Sequence, residues 1–272
     1  MIKIIDAFSF FNEFNILKLR LNYLNDVVDN FIICESNHTY SYIPKPYYLD
    51  EIIDNFPEDI RKKIIRIQYN IDSRYHSNDP WVLEHAQRNF IGQNLDQFSS
   101  DDIIMISDVD EIPRKEIVNT LSSSINDDIV VYLQQEVFVY NFFSKYNINW
   151  LGTNVCKIDT LRSFTPENLR AYFKYLNQDE KKNLNLKYKI LENAGWHFTY
   201  MGDYNFIKNK INSFSHQELN TEEYKNKEYI ENSIKNKKLY YDNSIIGCDY
   251  RIEDFPDNIR SLIINLFPNH IK

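Results

Sequence analysis

The chain is poor in glycine, in cysteine and in long apolar runs, and it carries no excess of positive charge. Glycine occurs five times in 272 residues, against 20 Tyr and 18 Phe. A low-GC genome produces that bias through its codons, so aromatic content alone does not define a binding surface. The three cysteines, Cys34, Cys156 and Cys248, are odd in number and far apart. No CxxC pair suggests zinc, and no dense framework suggests a secreted disulfide scaffold. Cys34 sits in the apolar run Phe31-Ile32-Ile33-Cys34 and reads as a buried structural thiol, which points to a reducing, cytoplasmic compartment. No run approaches the roughly 18 apolar residues of a membrane span. Asp6, Asn12 and Glu13 interrupt the apolar N-terminus before a signal-peptide core can form. The expectation is a soluble chain with no transmembrane segment, any membrane contact being peripheral. A net charge of −8 and a pI near 5.3 argue against a nucleic-acid partner.

What remains is ordinary globular composition, 43% hydrophobic and 26% charged. The length suits one α/β domain, expected over residues 1–220, with a C-terminal helical extension over 221–272 packed on it. The first half alternates apolar runs with helical patterns, as βαβ units and a mainly parallel sheet require. Strands are predicted at Ile2–Phe8, Phe31–Cys34, Ile64–Tyr69 and Ile103–Ile106. Helices are predicted at Asn12–Asn25, capped by Asn12, at Pro57–Lys63 and at Pro80–Leu95. Loops are expected over 36–49 and up to Asp79-Pro80. In the second half, Ile129–Phe143 and Asn149–Ile158 alternate as strands of a mixed sheet do. Thr165 reads as a helix cap, Lys181–Lys189 as a surface loop, and Trp196–Tyr200 as a late strand. Helices are predicted to follow at Tyr204–Phe214, Thr221–Lys235 and Pro256–Leu266.

Chemistry concentrates where Ile103–Ile106 runs into Ser107-Asp108-Val109-Asp110-Glu111. Two carboxylates one residue apart, at the carboxyl edge of a parallel sheet, lie where open α/β folds bind ligands. Hard oxygen donors suit Mn²⁺ or Mg²⁺ bridging to phosphate oxygens. A bare DxD is common in solvated turns, so its context carries the weight. The blocks Asp6-Ala7-Phe8-Ser9-Phe10-Phe11-Asn12-Glu13, Glu35-Ser36-Asn37-His38-Thr39 and Glu84-His85-Ala86-Gln87-Arg88-Asn89 precede or join Ser107 through Pro113. Gly195-Trp196-His197-Phe198-Thr199-Tyr200 and Ser213-Phe214-Ser215-His216-Gln217-Glu218 follow.

In this order the blocks resemble glycosyltransferase family 17, the β-1,4-mannosyl-glycoprotein β-1,4-N-acetylglucosaminyltransferases, over roughly residues 3 to 220. Asp203 stands where the family pattern has a glycine. The resemblance implies a GT-A fold, that is, a Rossmann-like mixed sheet flanked by helices. It implies UDP-N-acetylglucosamine as donor, a glycan hydroxyl as acceptor and inversion at the anomeric carbon. It assigns Asp108, Asp110 and His197 to the metal, and Asp6, Phe8, Glu35, Arg88, Asn89 and Asp108 to the nucleotide sugar. Asp108 meets the metal through water or holds the ribose. Arg88 either reaches the diphosphate or pairs with Glu84 one turn earlier. Inverting transfer needs a base for the acceptor hydroxyl; Glu218 is the leading choice, with Glu111 and Glu136 beside it, although Glu111 reads more readily as a support that orients the site or caps the following helix. Lys208 and Lys210 read as a solvated face, and Trp196 as core. Two other readings are a haloacid-dehalogenase-like phosphatase, whose motif belongs after the first strand, and a catalytically silent sugar-binding protein of the same fold.

Overall fold

The computed structural model describes residues 2–72, 79–125 and 129–270. The first half runs β1 (Ile4–Phe10), α1 (Phe14–Leu24), β2 (Asn30–Ser36), α2 (Tyr48–Ile52), α3 (Glu58–Arg61), β3 (Ile64–Tyr69), α4 (Trp81–Gly92) and β4 (Ile103–Asp108). Then come β5 (Glu111–Pro113), α5 (Lys115–Ser124), β6 (Ile129–Val139), β7 (Ser144–Lys157), α6 (Ile158–Arg162), α7 (Pro166–Lys174), α8 (Gln178–Leu184) and β8 (Lys187–Thr199). The chain continues through α9 (Tyr204–Ser213), α10 (Lys227–Lys235), β9 (Lys238–Leu239), β10 (Asp242–Ile246), β11 (Cys248–Asp249) and α11 (Asp257–Leu266). Most of the loop expected before Pro80 falls at 73–78, outside the described residues.

The main sheet has the order β3-β2-β1-β4-β7-β6-β8-β5, with β11 added beside β7. Strands β3, β2, β1 and β4 are mutually parallel; β7 pairs antiparallel with both β4 and β6, and β6 runs parallel to β8. Strand β1 is buried at all seven positions, and β2 and β4 at nearly all, because helices cover both faces of the parallel half. One face packs Leu17, Leu21 and Leu24 of α1 with Val118 of α5 and Ile259 and Ile263 of α11. The other packs Ile91 of α4, Leu161 of α6 and Leu169 of α7. A third, tyrosine-rich cluster sets Tyr140, Tyr146, Tyr200 and Tyr240 against Ile207 and Ile211 of α9 and Ile230 of α10. Cys34 is buried, as its apolar run predicts.

Several local readings differ. Helix α1 starts at Phe14 with Glu13 at its cap position, and Asn12 lies outside it. Lys181–Lys189 is not a loop: Asn177 and Glu180 form a capping box that starts α8, Asn185 ends it at φ 47°, and β8 begins at Lys187. The polar face of β8 concealed its length, because Lys187–Leu191 pairs along β6 while facing water. Strand β5 was not foreseen, being three residues paired with Gly195–His197. Thr165 does cap α7, through a capping box with Asn168. The C-terminal annex carries α10 and α11, and also strands β9 to β11. No helix among the described residues is long and apolar enough to cross a membrane.

Candidate functional site

A cavity of about 510 Å³ opens at the carboxyl ends of β1 and β4, between α4, α7 and α9. That is the edge at which open α/β sheets bind ligands. Asp108 and Asp110 both line it, together with His197 from β8, Trp150 from β7, Arg88 from α4, Arg170 and Lys174 from α7, and Lys210 from α9.

The acid pair stands on a floor built from the N-terminus. Arg20 of α1 is fully buried and donates to both Asp6 carboxylate oxygens, at 2.8 and 2.6 Å. Its remaining N–H groups reach the carbonyls of Asp108 (2.8 Å), Val109 (3.1 Å) and Glu111 (2.9 Å) and the Ser107 hydroxyl (2.6 Å). A planar donor fork can satisfy several carbonyls of one tight turn, which an ammonium cannot do in the same geometry. The Arg20 guanidinium also lies 4.3 Å over the Phe8 ring. Asp6 and Phe8, expected at the nucleotide, are therefore interior supports: Asp6 is consumed by Arg20, and Phe8 lies in the core.

Asp108 is gripped from two helices. Arg88 reaches its Oδ1 at 3.3 Å and Arg170 its Oδ2. Arg88 also binds Glu84 at 2.6 Å and Glu167, so the predicted one-turn pair with Glu84 exists within a larger network. Arg170 grips Glu111 with both terminal nitrogens, at 2.6 and 2.7 Å, and donates to the Gly152 carbonyl at 2.8 Å. Glu111 is fully buried and also accepts from the Asp108 amide (3.0 Å) and Trp150 Nε1 (2.8 Å). It does not line the cavity, which corrects its candidacy as base; it positions Arg170 and the acid turn. Gly152 makes room for this packing, since a Cβ there would lie 2.0 Å from Gln135 Oε1 and 3.0 Å from the Glu111 carboxyl carbon. Burial alone would raise the Asp108 carboxyl, but Arg170 and then Arg88 outweigh it and hold the group far below the usual carboxylate range.

Asp110 is held more loosely. Lys210 Nζ is 3.1 Å from its Oδ2, and His197 Nε2 is 3.5 Å from its Oδ1. Burial opposes its ionisation, and Lys210 and His197 overcome that penalty, leaving the carboxyl well below its ordinary value. Lys210 itself stays charged: burial lowers it, while Asp110 and Glu13, the latter 3.9 Å away, raise it further. Lys210 is thus part of the site, contrary to the expected solvated face, whereas Lys208 is exposed. His197 stacks on Trp150 with centroids 4.4 Å apart and planes 20° apart, and its Nδ1 is buried without a hydrogen-bond partner. Trp196 is core, as expected.

Other predicted residues are placed elsewhere. Glu35 is fully buried and accepts from Lys45 (2.7 Å) and from the amides of Tyr48 (2.7 Å) and Leu49 (3.0 Å). It ties the 36–49 loop to the start of α2 and does not line the cavity. Asn89 accepts from the Glu167 amide at 2.9 Å, joining α4 to α7. Glu136 pairs with Arg114 and Lys145 away from the cavity. Glu218 does border the cavity, its Oε1 2.6 Å from His216 Nδ1, and His216 packs edge-on against Trp81 at 4.6 Å.

Sequence reading missed Arg20, Arg170, Lys174, Trp150 and Glu13. Two of the signals were present: Arg20 falls among Leu17, Leu21 and Leu24 on the apolar face of α1, where a lone charge needs a buried partner. Glu167, Arg170 and Lys174 recur at helical spacing on one face of α7.

Among the described residues no three His, Cys, Asp or Glu side chains are grouped closely enough to hold an ion unaided. The donor set nevertheless fits a divalent cation. Mg²⁺-like ions are held by one or two carboxylates plus water and ligand phosphates, seldom by a full protein cage. The Asp110–His197 separation is long for a hydrogen bond, so neither group is locked to the other. The cavity wall carries six carboxylates, Glu13, Glu84, Asp108, Asp110, Glu167 and Glu218, against five cations, Lys45, Arg88, Arg170, Lys174 and Lys210. Glu35 and Glu111 behind it add two more acids. An anionic ligand entering such a wall needs additional positive charge.

An open mixed sheet with an acid pair at the carboxyl end of a central strand defines an α/β protein of the GT-A type. The sequence profile of glycosyltransferase family 17 matches residues 1–244, and the chain belongs to that family. It is 26% identical over 222 residues to the β-1,4-mannosyl-glycoprotein 4-β-N-acetylglucosaminyltransferase of Rattus norvegicus, covering 73% of this chain and 40% of that protein. The Homo sapiens protein of the same name matches at the same identity and coverage. The chain therefore spans about 40% of the length of these relatives. Among solved structures, the galactosyltransferase LgtC in complex with donor and acceptor sugar analogues matches with a TM-score of 0.40 and 12% identity, over 69% of this chain and 72% of that one.

Proposed function

We propose that the chain is an inverting, metal-assisted glycosyltransferase that moves N-acetylglucosamine from UDP-N-acetylglucosamine to a glycan hydroxyl. One observation carries the reading: Asp108 at the end of β4 and Asp110 in the turn after it share the wall of a single cavity, with His197 3.5 Å from Asp110. Family membership supports glycosyl transfer, and the name of the two mammalian relatives supports N-acetylglucosamine as the sugar moved and a glycan as acceptor.

Asp110 and His197 would hold Mn²⁺ or Mg²⁺, with Asp108 behind them. When bound, such an ion neutralises charge growing on a departing diphosphate. The chain's own groups do the rest. Arg88 and Arg170 fix Asp108, so the acid turn needs no rearrangement as charge develops. Trp150, Ile148 and Val137 give the cavity wall an apolar portion that helps to exclude water. Glu218 is the remaining predicted base that borders the cavity; its carboxylate takes the acceptor proton, and His216 orients it. Glu218→Gln is expected to lose transfer about 100-fold while keeping acceptor-independent donor hydrolysis; full transfer would remove Glu218 from the role.

The assignment is tested by Mn²⁺-dependent hydrolysis of UDP-N-acetylglucosamine without acceptor. Asp110→Ala should reduce it about 100-fold or more. Equal background turnover in both proteins would favour the silent sugar-binding reading.

A further inference from the structure

Four of the five cations lining the cavity are matched by carboxylates. Arg88 has Glu84, Glu167 and Asp108, Arg170 has Asp108 and Glu111, Lys210 has Asp110 and Glu13, and Lys45 has Glu35. Lys174 has no ion pair among the described residues. Its ammonium stands 3.9 Å over the indole of Trp150, and that indole is pinned through Nε1 to Glu111 and stacked on His197. The lysine is one turn beyond Arg170 on α7, so the helix delivers both cations to the same wall.

We propose that Lys174 binds the diphosphate of the nucleotide-sugar donor, as the unpaired cation that the cavity keeps for its ligand. The inference rests on the transferase reading and deepens it. A half-buried ammonium held over an aromatic face keeps part of its attraction through the ring quadrupole, yet among the described residues none of its N–H donors is engaged by an acceptor. The charged groups around it are Arg170 on its own helix, Glu111 on β5, Asp108 on β4 and Arg88 on α4. The two acids among them are already engaged by the two arginines, so neither is left to neutralise Lys174. Burial, and then Arg170, push the ammonium down to about 8, which agrees with a cation short of counter-charge. A diphosphate supplies that charge together with acceptor oxygens, and the hydrogen bond it forms is charge-assisted on both sides.

Calorimetric titration with uridine, UMP and UDP in Mn²⁺ tests this on wild type, Lys174→Met and Lys174→Arg. Lys174→Met should weaken UDP about tenfold, the equivalent of one charge-assisted contact, and leave uridine unchanged. Lys174→Arg should restore UDP to within a few-fold of wild type. In turnover, Lys174→Met should raise KM for UDP-N-acetylglucosamine more than it lowers kcat. Wild-type affinity for UDP in Lys174→Met, or equal losses for UDP and uridine, would overturn the inference and leave the transferase reading standing. A wild type that does not bind UDP would overturn both. A parallel titration with glucuronate separates the remaining source of negative charge: binding that needs Lys174, with UDP unaffected by its loss, would assign the lysine to an acidic sugar and against the donor.

Discussion

Asp108 and Asp110 are two residues apart and live in different chemical settings. Asp108 is clasped by two arginines that are themselves paired with Glu84, Glu111 and Glu167. Asp110 meets one lysine at 3.1 Å and one imidazole at 3.5 Å. The arginine side is closed, with geometry fixed by planar forks. The lysine–histidine side is built from a flexible ammonium and a ring with an unspent nitrogen, contacts that a ligand or ion can exchange. The contrast separates scaffold from working surface within a single motif.

The largest expected effect breaks the closed side. Arg170→Ala strands the Glu111 carboxylate in the interior, and urea unfolding should show a loss of about 3–5 kcal/mol, the usual penalty for an uncompensated buried charge. On the open side, Asp110→Ala should cost less than about 2 kcal/mol in the same assay. Comparable losses in the two variants would show that the sides do not differ as described.

A pH-dependent effect concerns Lys174. In the folded chain its ammonium releases a proton near 8, while in the unfolded chain it does so near the ordinary 10.5. Between those values the unfolded state binds more protons, so stability rises with pH. Relative to Lys174→Met, wild type should therefore gain melting temperature from pH 8 to pH 10. A difference that is flat across that window would mean that burial does not penalise this charge.

The same contrast explains what the sequence could reveal. Apolar runs such as Phe31–Cys34 and Ile103–Ile106 announce themselves because central parallel strands are buried on both faces, and such runs carry the parallel half of the sheet. Strand β8 hides, because Lys187–Ile190 is exposed and carries no apolar run, although it pairs along β6 and Tyr188 packs on Tyr172 and Phe173 of α7. At the site, Asp108, Asp110, His197, Arg88 and Glu218 were legible through their motifs. Asp6, Glu35, Asn89 and Glu111 belong to the same motifs yet serve as supports. A motif records which residues occur together, but whether a carboxylate faces a cavity or an arginine is set by packing. Arg170 and Trp150 come from elements with no motif of their own, and only the folded sheet brings them to Glu111.

Arg20 ties this chemistry to the order in which the chain is made. The carbonyls it holds lie 88 to 91 residues further along, so the acid turn takes its shape from a side chain synthesised long before it. Closing so long a segment costs entropy that the packing of α1 against the central strands must offset. A nascent chain that has emerged as far as Glu111 already contains both halves of this clamp. The turn can set before β7, β8 and α9 exist, leaving the later residues to dock Trp150, His197 and Lys210 against a floor that is already in place.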